Sequence, residues 1–180
     1  GPVPAWISSV GVVSGVLLAI PVVLLGLNLY SGGFFRCNGQ PTVRVASVAS
    51  MAFWVGGLLT AVTSLRCAQR ILHFTQFASA VQNLLLLGFV VLGLLSALYW
   101  MLPKLIGFAW CRSPLAMIHL GLSVVGLILI VGANLVGGWR QGQHLDLPAS
   151  MINASNLELV VWLRVASLGW LAFLAAQGAF

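Results

Sequence analysis

Residues 74–101 read FTQFASAVQNLLLLGFVVLGLLSALYWM, a stretch of 28 residues without a charged side chain. An α-helix rises about 1.5 Å per residue, so about 20 apolar residues cross the ~30 Å hydrocarbon core of a bilayer. This stretch is long enough to span a membrane, and it predicts a transmembrane helix.

The composition of the whole chain indicates the same class of protein. Of its 180 residues, 61% are hydrophobic and 6% are charged, whereas about a quarter of the residues in a soluble domain are charged. The apolar stretches predict an integral membrane protein that is all-α: a polytopic helical bundle forming one transmembrane domain over residues 1–180. The five predicted helices span residues 6–30, 43–65, 74–101, 114–135 and 157–179.

Local signals place several helix ends. Ser113 and Pro114 are typical of a helix start, because serine caps unpaired amide groups and proline lacks an N–H that would be orphaned there. Pro103 is expected to close the third helix, because proline breaks helices. The charged and turn-forming residues between the spans, including Arg66 to Arg70 and the stretch 137–156, are expected to form connections.

Charge predicts an orientation. Five spans put the two chain ends on opposite sides, and the positive-inside rule assigns the more basic loops to the cytoplasm. The loops after the first and third helices carry four Lys or Arg residues against three in the other two loops, which predicts that Gly1 is periplasmic and the carboxyl terminus cytoplasmic. The four are Arg36, Arg44, Lys104 and Arg112, and the three are Arg66, Arg70 and Arg140.

The chain has few side chains of the kinds that bind metals or catalyse reactions. His73, His119 and His144 lie in different segments, and the three cysteines lie in different loops, so no metal site is predicted. The two carboxylates, Asp146 and Glu158, would both be needed for a paired-acid site. There is no phosphate-binding glycine loop and no basic patch with interleaved aromatic residues, which argues against nucleic acid as a partner. No catalytic residue is therefore assigned.

Three of the polar residues inside the predicted spans are candidate structural residues, because they lie well away from the span ends. Gln82 and Asn83 lie about 14 Å into the third span, near the middle of the bilayer, where an amide must find a hydrogen-bond partner. We expect interhelical hydrogen bonds; the alternative is a polar lining for a pocket of quinone or lipid size. Arg164 lies about 10 Å deep, and Glu158 is six positions away, which disfavours an intrahelical pair. A structural contact with another helix or subunit is expected for Arg164.

Small residues also recur within the spans and indicate close helix packing. They occur as Gly11 and Gly15, Gly88 and Gly93, and Gly121 and Gly126.

Several short motifs resemble one family. The opening PVPAW of residues 2–6, the His-Phe-Thr at 73–75, the LYWMLPKL of residues 98–105 and the Trp-Leu-Arg at 162–164 are similar to segments of the catalytic subunit of the C family, or cbb-type, haem-copper cytochrome c oxidases. The resemblance covers the carboxy-terminal five of about twelve family helices. It implies a respiratory complex in the bacterial inner membrane, with the amino terminus of this chain outside.

The resemblance also exposes two departures from the family pattern. Aligned without gaps from His73, the family's two haem-ligating histidines on this helix fall on Val81 and Asn83. Neither side chain is a haem-iron ligand of the usual kinds. The resemblance therefore implies a shared scaffold with no cofactor on this chain and with haem b on partner subunits, while His73 and His119 remain as the haem-ligand candidates.

The leading hypothesis is a non-catalytic relative of the oxidase catalytic subunit, acting as a structural or accessory subunit of a respiratory electron-transfer complex. Its expected partners are other membrane subunits, including c-type cytochrome subunits, and lipid. The alternative is part of a terminal oxidase or nitric-oxide-reductase-like core whose haem ligands come from another polypeptide or segment. A small transporter or channel is a third hypothesis, disfavoured by the lack of buried charge pairs.

Overall fold

The computed structural model describes residues 5–32, 41–107, 113–144 and 149–178, and these residues contain helices and turns but no strand. Seven α-helices, α1 to α7, account for most of them, and one π-helical segment joins α4 to α5. The bounds are α1 Ala5–Ser31, α2 Pro41–Thr63, α3 Arg66–Leu72, α4 Gln76–Asn83, the π segment Leu84–Val91, α5 Leu92–Ile106, α6 Ser113–His144 and α7 Ala149–Gln177.

The predicted all-helical membrane architecture is confirmed. Among the described residues, five helical runs are long and apolar enough to cross a bilayer. The third run is continuous through α4, the π segment and α5, so the stretch that predicted the fold is one span. The five runs are Ser9–Ser31, Thr42–Thr63, Gln76–Ile106, Pro114–His144 and Glu158–Gln177.

Three predicted connections differ from the structure. Pro103 does not close the third helix: α5 continues to Ile106 and ends at Gly107, whose φ of 75° gives the left-handed cap that glycine adopts without strain. The predicted connection 137–156 is shorter than expected, because α6 extends nine residues beyond the predicted 135, to His144, and α7 begins at Ala149, eight residues before the predicted 157. The basic stretch after α2 is not a simple loop, because Arg66–Leu72 forms the short helix α3.

The core lies where α2, the third span, α6 and α7 meet. It contains buried aliphatic and aromatic side chains such as Val45, Leu92, Ile130 and Phe173. Helix α1 packs along α2, and most of its apolar surface is exposed. Apolar surface of this kind is compatible with hydrocarbon, which offers no hydrogen-bond partner and therefore penalises exposed polar groups but not apolar ones.

The bundle has two ends, which we name by the elements found there. At the α3 end, α2 and α6 end and α4 begins; the backbone N–H of Gln76 donates to Oε1 of Gln141 at 3.0 Å. At the α5 end, α2 and α6 begin and α5 and α7 end; Oγ of Ser96 donates to the carbonyl of Thr42 at 3.0 Å. Two of the cations used for orientation, Arg36 and Arg112, lie outside the described residues, and the orientation remains a prediction.

Candidate functional site

A cleft of ≈350 Å³ opens at the α3 end between α2, α3 and the start of the third span. Its α2 wall carries hydroxyl groups whose protons are already donated to the helix backbone: Thr60 donates to the carbonyl of Gly56 at 2.8 Å and Thr63 to that of Thr60 at 3.0 Å. These hydroxyls therefore present acceptor oxygens to the cleft, and the remaining polarity comes from other elements.

The opposite wall is apolar and is positioned by a helix cap. Thr75 is the N-cap of α4: its Oγ1 accepts from the N–H of Phe77 at 3.3 Å and donates to the carbonyl of Leu72 at 2.9 Å. The cap fixes the turn between α3 and α4. From there Phe77, Val81 and Leu85 recur every fourth residue and line one side of the cleft. The side chain of Val81 is 6% exposed.

Gln69 and His73 stand at the junction between this cleft and a shallower hollow of ≈430 Å³, because both side chains line the two cavities. The ring of His73 is exposed and contacts Phe74 edge to face, with 4.7 Å between ring centroids. The mouth of the cleft therefore carries one amide and one imidazole, whereas its deeper lining along the third span is apolar except for Gln82.

The shallow hollow is basic. Arg66 and Arg70 line it, and Arg66 donates to the hydroxyl of Ser9 on α1. In the described part of the chain, the Arg70 side chain has no hydrogen bond or ion pair. Glu158 is the one carboxylate there whose side chain the structure describes, and it pairs with Arg140 at 3.6 Å. The mouth of the cleft is therefore positively charged with no acid from these residues opposite it.

A second polar cluster lies at the α5 end and is buried. The hydroxyl of Tyr99 lies 2.9 Å from Nδ1 of His119, and Nε2 of His119 lies 3.2 Å from Oε1 of Gln177. The amide nitrogen of Gln177 donates at 3.3 Å to the hydroxyl of Ser123 and at 3.3 Å to the carbonyl of Phe173. His119 and Ser123 are fully buried. This network, which we call the His119 network, connects α5, α6 and α7.

The two candidate haem ligands lie far apart. His73 precedes α4 at the α3 end, and His119 contacts Tyr99 at the α5 end. The 26 residues from position 73 to Tyr99 correspond to roughly 35–40 Å of helix. Across the described ranges, no group of three or more His, Cys, Asp or Glu side chains converges on one point.

The side chains that line the cleft do not fit a haem whose iron is ligated by two residues of the third span. Val81 offers an aliphatic side chain to the cleft, and His73 is the one cleft-lining residue with an imidazole. Both ring nitrogens of His119 are within hydrogen-bond distance of Tyr99 or Gln177. The cleft therefore lacks the paired imidazoles that the resemblance associates with this helix.

Gln82 and Asn83 do not form interhelical hydrogen bonds within the described residues. Gln82 is exposed and Asn83 half-buried, and both line an open hollow beside Phe53; Gln82 also lines the cleft. Hydrogen bonds from these amides to another subunit remain a prediction. Arg164 is also exposed on α7, and Glu158 of the same helix pairs with Arg140 of α6. A contact of Arg164 with another helix or subunit remains a prediction.

Comparison with known proteins gives one family. Residues 1–175 match the profile of the family described as Cytochrome C and Quinol oxidase polypeptide I. The chain is 27% identical over 146 residues to the Cbb3-type cytochrome c oxidase subunit CcoN1 of Stutzerimonas stutzeri, a match that covers 77% of this chain and 30% of that protein. It is 24% identical over 162 residues to cytochrome c oxidase subunit 1 of Rhodobacter capsulatus, covering 84% of this chain and 30% of that protein. The chain thus spans 30% of the length of each relative.

Proposed function

Because the chain belongs to the cytochrome c and quinol oxidase polypeptide I family, we propose that it is a non-catalytic accessory subunit of a respiratory electron-transfer complex. It keeps membrane helices of the family's catalytic subunit and binds no haem of its own. It lies in a bacterial inner membrane with Gly1 on the periplasmic side, and any haem b of the complex is held by partner subunits.

The observation that carries this proposal is the position of Val81. The resemblance aligns Val81 and Asn83 with the family's two haem-iron ligands on this helix. Val81 is buried at the wall of the cleft and has no atom that ligates iron. Asn83 lines a different hollow, beside Phe53. On this alignment the chain keeps the helix and has lost both ligands.

The remaining histidines support the same proposal. His73 is exposed at the mouth of the cleft, and His119 takes part in a buried network that joins three helices. A histidine that uses both ring nitrogens in hydrogen bonds must give up one of them before it can ligate iron. We therefore assign His119 a structural role: it fixes α5 and α7 against α6.

Exposed polar groups on the outer faces of the spans support an accessory role among partners. Gln82 and Arg164 are exposed in segments predicted to lie in hydrocarbon. An unpaired amide or guanidinium is costly there unless it reaches the interface or meets a polar group of a neighbouring helix. We propose that partner helices cover these positions, and membrane cytochrome subunits are the expected class of partner.

The alternative function is a share in a catalytic core whose haem ligands come from another polypeptide. One observation favours it: each relative is more than three times longer than the matched part of this chain. Ligands absent from these five spans can therefore be supplied by other segments. In that case His73, which faces the cleft, is the residue of this chain that would ligate iron.

The test is the haem content of the isolated chain. The full chain is purified in mild detergent, and haem per polypeptide is measured by the alkaline pyridine assay, next to the complex from which it came. The proposal predicts haem in the complex and none above background on the chain. Stoichiometric b-type haem on the isolated chain would overturn it. Haem that appears only in the complex and is lost on His73→Ala would establish the alternative.

A further inference from the structure

We propose that the cleft and its basic mouth bind one anionic phospholipid, with the phosphate at Arg66 and Arg70 and one acyl chain between α2 and α4. This inference rests on the proposed function, since a haem in the cleft would leave no space for the lipid.

Charge is the first reason. Arg66 and Arg70 are four residues apart on α3, so both project from one side of the helix and line the same hollow. Arg66 uses one guanidinium donor on Ser9, and Arg70 has no partner within the described ranges. The described Glu158 carboxylate pairs with Arg140. Two arginines that meet no carboxylate of the described residues are complementary to a phosphate, which accepts several charge-assisted hydrogen bonds.

Depth is the second reason. The cleft extends along the third span from Phe77 to Leu85. The nine residue steps from Gln76, where the span begins, to Leu85 rise about 14 Å, close to half of the ~30 Å hydrocarbon core. The cleft is therefore about one leaflet deep, the length over which a phospholipid acyl chain extends from its headgroup. Its Val81 and Leu85 surface is apolar along this depth.

The order of polar groups is the third reason. From the mouth inward the cleft presents the guanidinium groups, then Gln69 and His73, then a wall that is apolar except for Gln82. A phospholipid has the same order of phosphate, ester groups and hydrocarbon. The ester carbonyls accept hydrogen bonds, and the Gln69 amide is a donor at that level. A neutral quinone head would leave Arg66 and Arg70 without a counter-charge.

The experiment compares two lipids on the delipidated complex that contains the full chain. Dioleoyl-phosphatidylglycerol or dioleoyl-phosphatidylcholine is added at equal concentration in detergent, and bound lipid per complex is counted by native mass spectrometry. We expect one tightly retained phosphatidylglycerol, preferred about tenfold over phosphatidylcholine. The double variant Arg66→Gln/Arg70→Gln is expected to abolish the preference.

Two further variants separate the cleft from general surface charge. Val81→Phe fills the cleft and leaves both arginines in place, so it is expected to reduce retention of phosphatidylglycerol. Lys104→Gln removes an exposed cation at the α5 end, where its Nζ lies 3.5 Å above the ring of Trp100. This control is expected to leave the preference unchanged. An equal loss in Lys104→Gln and the double arginine variant would overturn the inference.

The remaining outcomes separate this inference from the proposed function. Equal retention of the two lipids by the wild type, with no haem on the chain, overturns the lipid site and leaves the accessory role intact. An isoprenoid quinone recovered from the cleft, lost on Val81→Phe and kept in the double arginine variant, overturns the lipid site in the same way. Haem that is lost on Val81→Phe overturns both.

Discussion

Gly126 of α6 and Gly169 of α7 meet backbone to backbone where the two helices cross. A Cβ atom built on Gly126 would lie 2.8 Å from the carbonyl oxygen of Gly169, and one built on Gly169 would lie 2.9 Å from the carbonyl oxygen of Gly126. Real Cβ atoms essentially never come so close to backbone atoms, so both positions require glycine as the structure stands. This contact brings α7 near enough to α6 for Gln177 to reach His119.

The first prediction concerns this crossing. Gly126→Ala is expected to push α6 and α7 apart and to lower the free energy of unfolding by about 1–3 kcal/mol, the usual cost of overpacking. Gly121→Ala, on the same helix, is the matched control, because no described atom lies within 4 Å of its added Cβ. Both are measured by reversible unfolding in mixed micelles, followed by circular dichroism. Equal unfolding free energies for the two variants would contradict the close backbone contact between Gly126 and α7.

The second prediction concerns the His119 network. Tyr99→Phe removes the hydroxyl that contacts Nδ1 of His119 and is expected to cost about 0.6–2 kcal/mol of unfolding free energy, the range for interhelical hydrogen bonds in membranes. Tyr30→Phe is the control, because Tyr30 is 74% exposed. A double-mutant cycle of Tyr99→Phe with Gln177→Leu is expected to give a non-zero coupling energy, because both side chains contact one imidazole.

Tyr99→Phe and Tyr30→Phe with the same unfolding free energy would show that the network does not hold the three helices together. A coupling energy of zero, with both single variants destabilised, would show that the imidazole does not link Tyr99 to Gln177.

The third prediction concerns the partner surface on α7. Arg164→Leu is expected to leave the stability of the isolated chain unchanged, because its side chain has no hydrogen bond or ion pair in the described ranges. It is expected to weaken assembly with partner subunits about tenfold, since it leaves a partner group unpaired. Co-purification yield at fixed detergent concentration measures this. The same co-purification yield is measured for Arg140→Leu, a control variant that breaks the exposed ion pair with Glu158.

Full co-purification of Arg164→Leu would show that this arginine snorkels to the interface instead of meeting a partner. A loss of stability in the isolated chain would instead place its contact within the chain.

The sequence was sufficient for the architecture because membrane spans depend on a simple quantity, the length of an apolar stretch. All five predicted spans are present among the described residues. The extension of α6 to His144 could not be read in this way, since residues 136–144 contain two adjacent glycines and several polar side chains. Two glycines of this segment have a packing role: a Cβ on Gly138 would strike the backbone of Phe77, and one on Gly142 would strike the carbonyl of Ile71.

Glycine spacing alone predicted only part of the packing. Gly88 and Gly126 each lie against another helix, as expected, and Gly15 lies against Ser64 in the turn after α2. Gly11, Gly93 and Gly121 have no described atom within 4 Å of an added Cβ. Which face of a helix contacts a neighbouring helix depends on how the two helices cross, and glycine spacing in a single sequence does not determine this.

The polar sites were harder to predict. His119 was identified as a residue of interest, but its partners Tyr99 and Gln177 are 20 and 58 positions away along the chain and on two other helices. A signal was present, because the alternating direction of successive spans puts the carboxyl ends that carry Tyr99 and Gln177 on the same side of the membrane as the amino end that carries His119. The sequence predicts a pocket near Gln82 but not that this pocket continues into the basic hollow at Arg70. The two are continuous because residues 66–72 form the helix α3, which the sequence analysis assigned to a connection.

We expect this chain to ligate no haem iron, and the assembled complex is the sample in which to measure this. The dithionite-reduced minus oxidised spectrum and the haem b content per complex are compared between the wild type and the double variant His73→Ala/His119→Gln. The account predicts identical spectra and identical haem content in complexes of equal subunit composition. Loss of one haem b per complex, or a shifted α band, would contradict it and identify one of these histidines as an iron ligand.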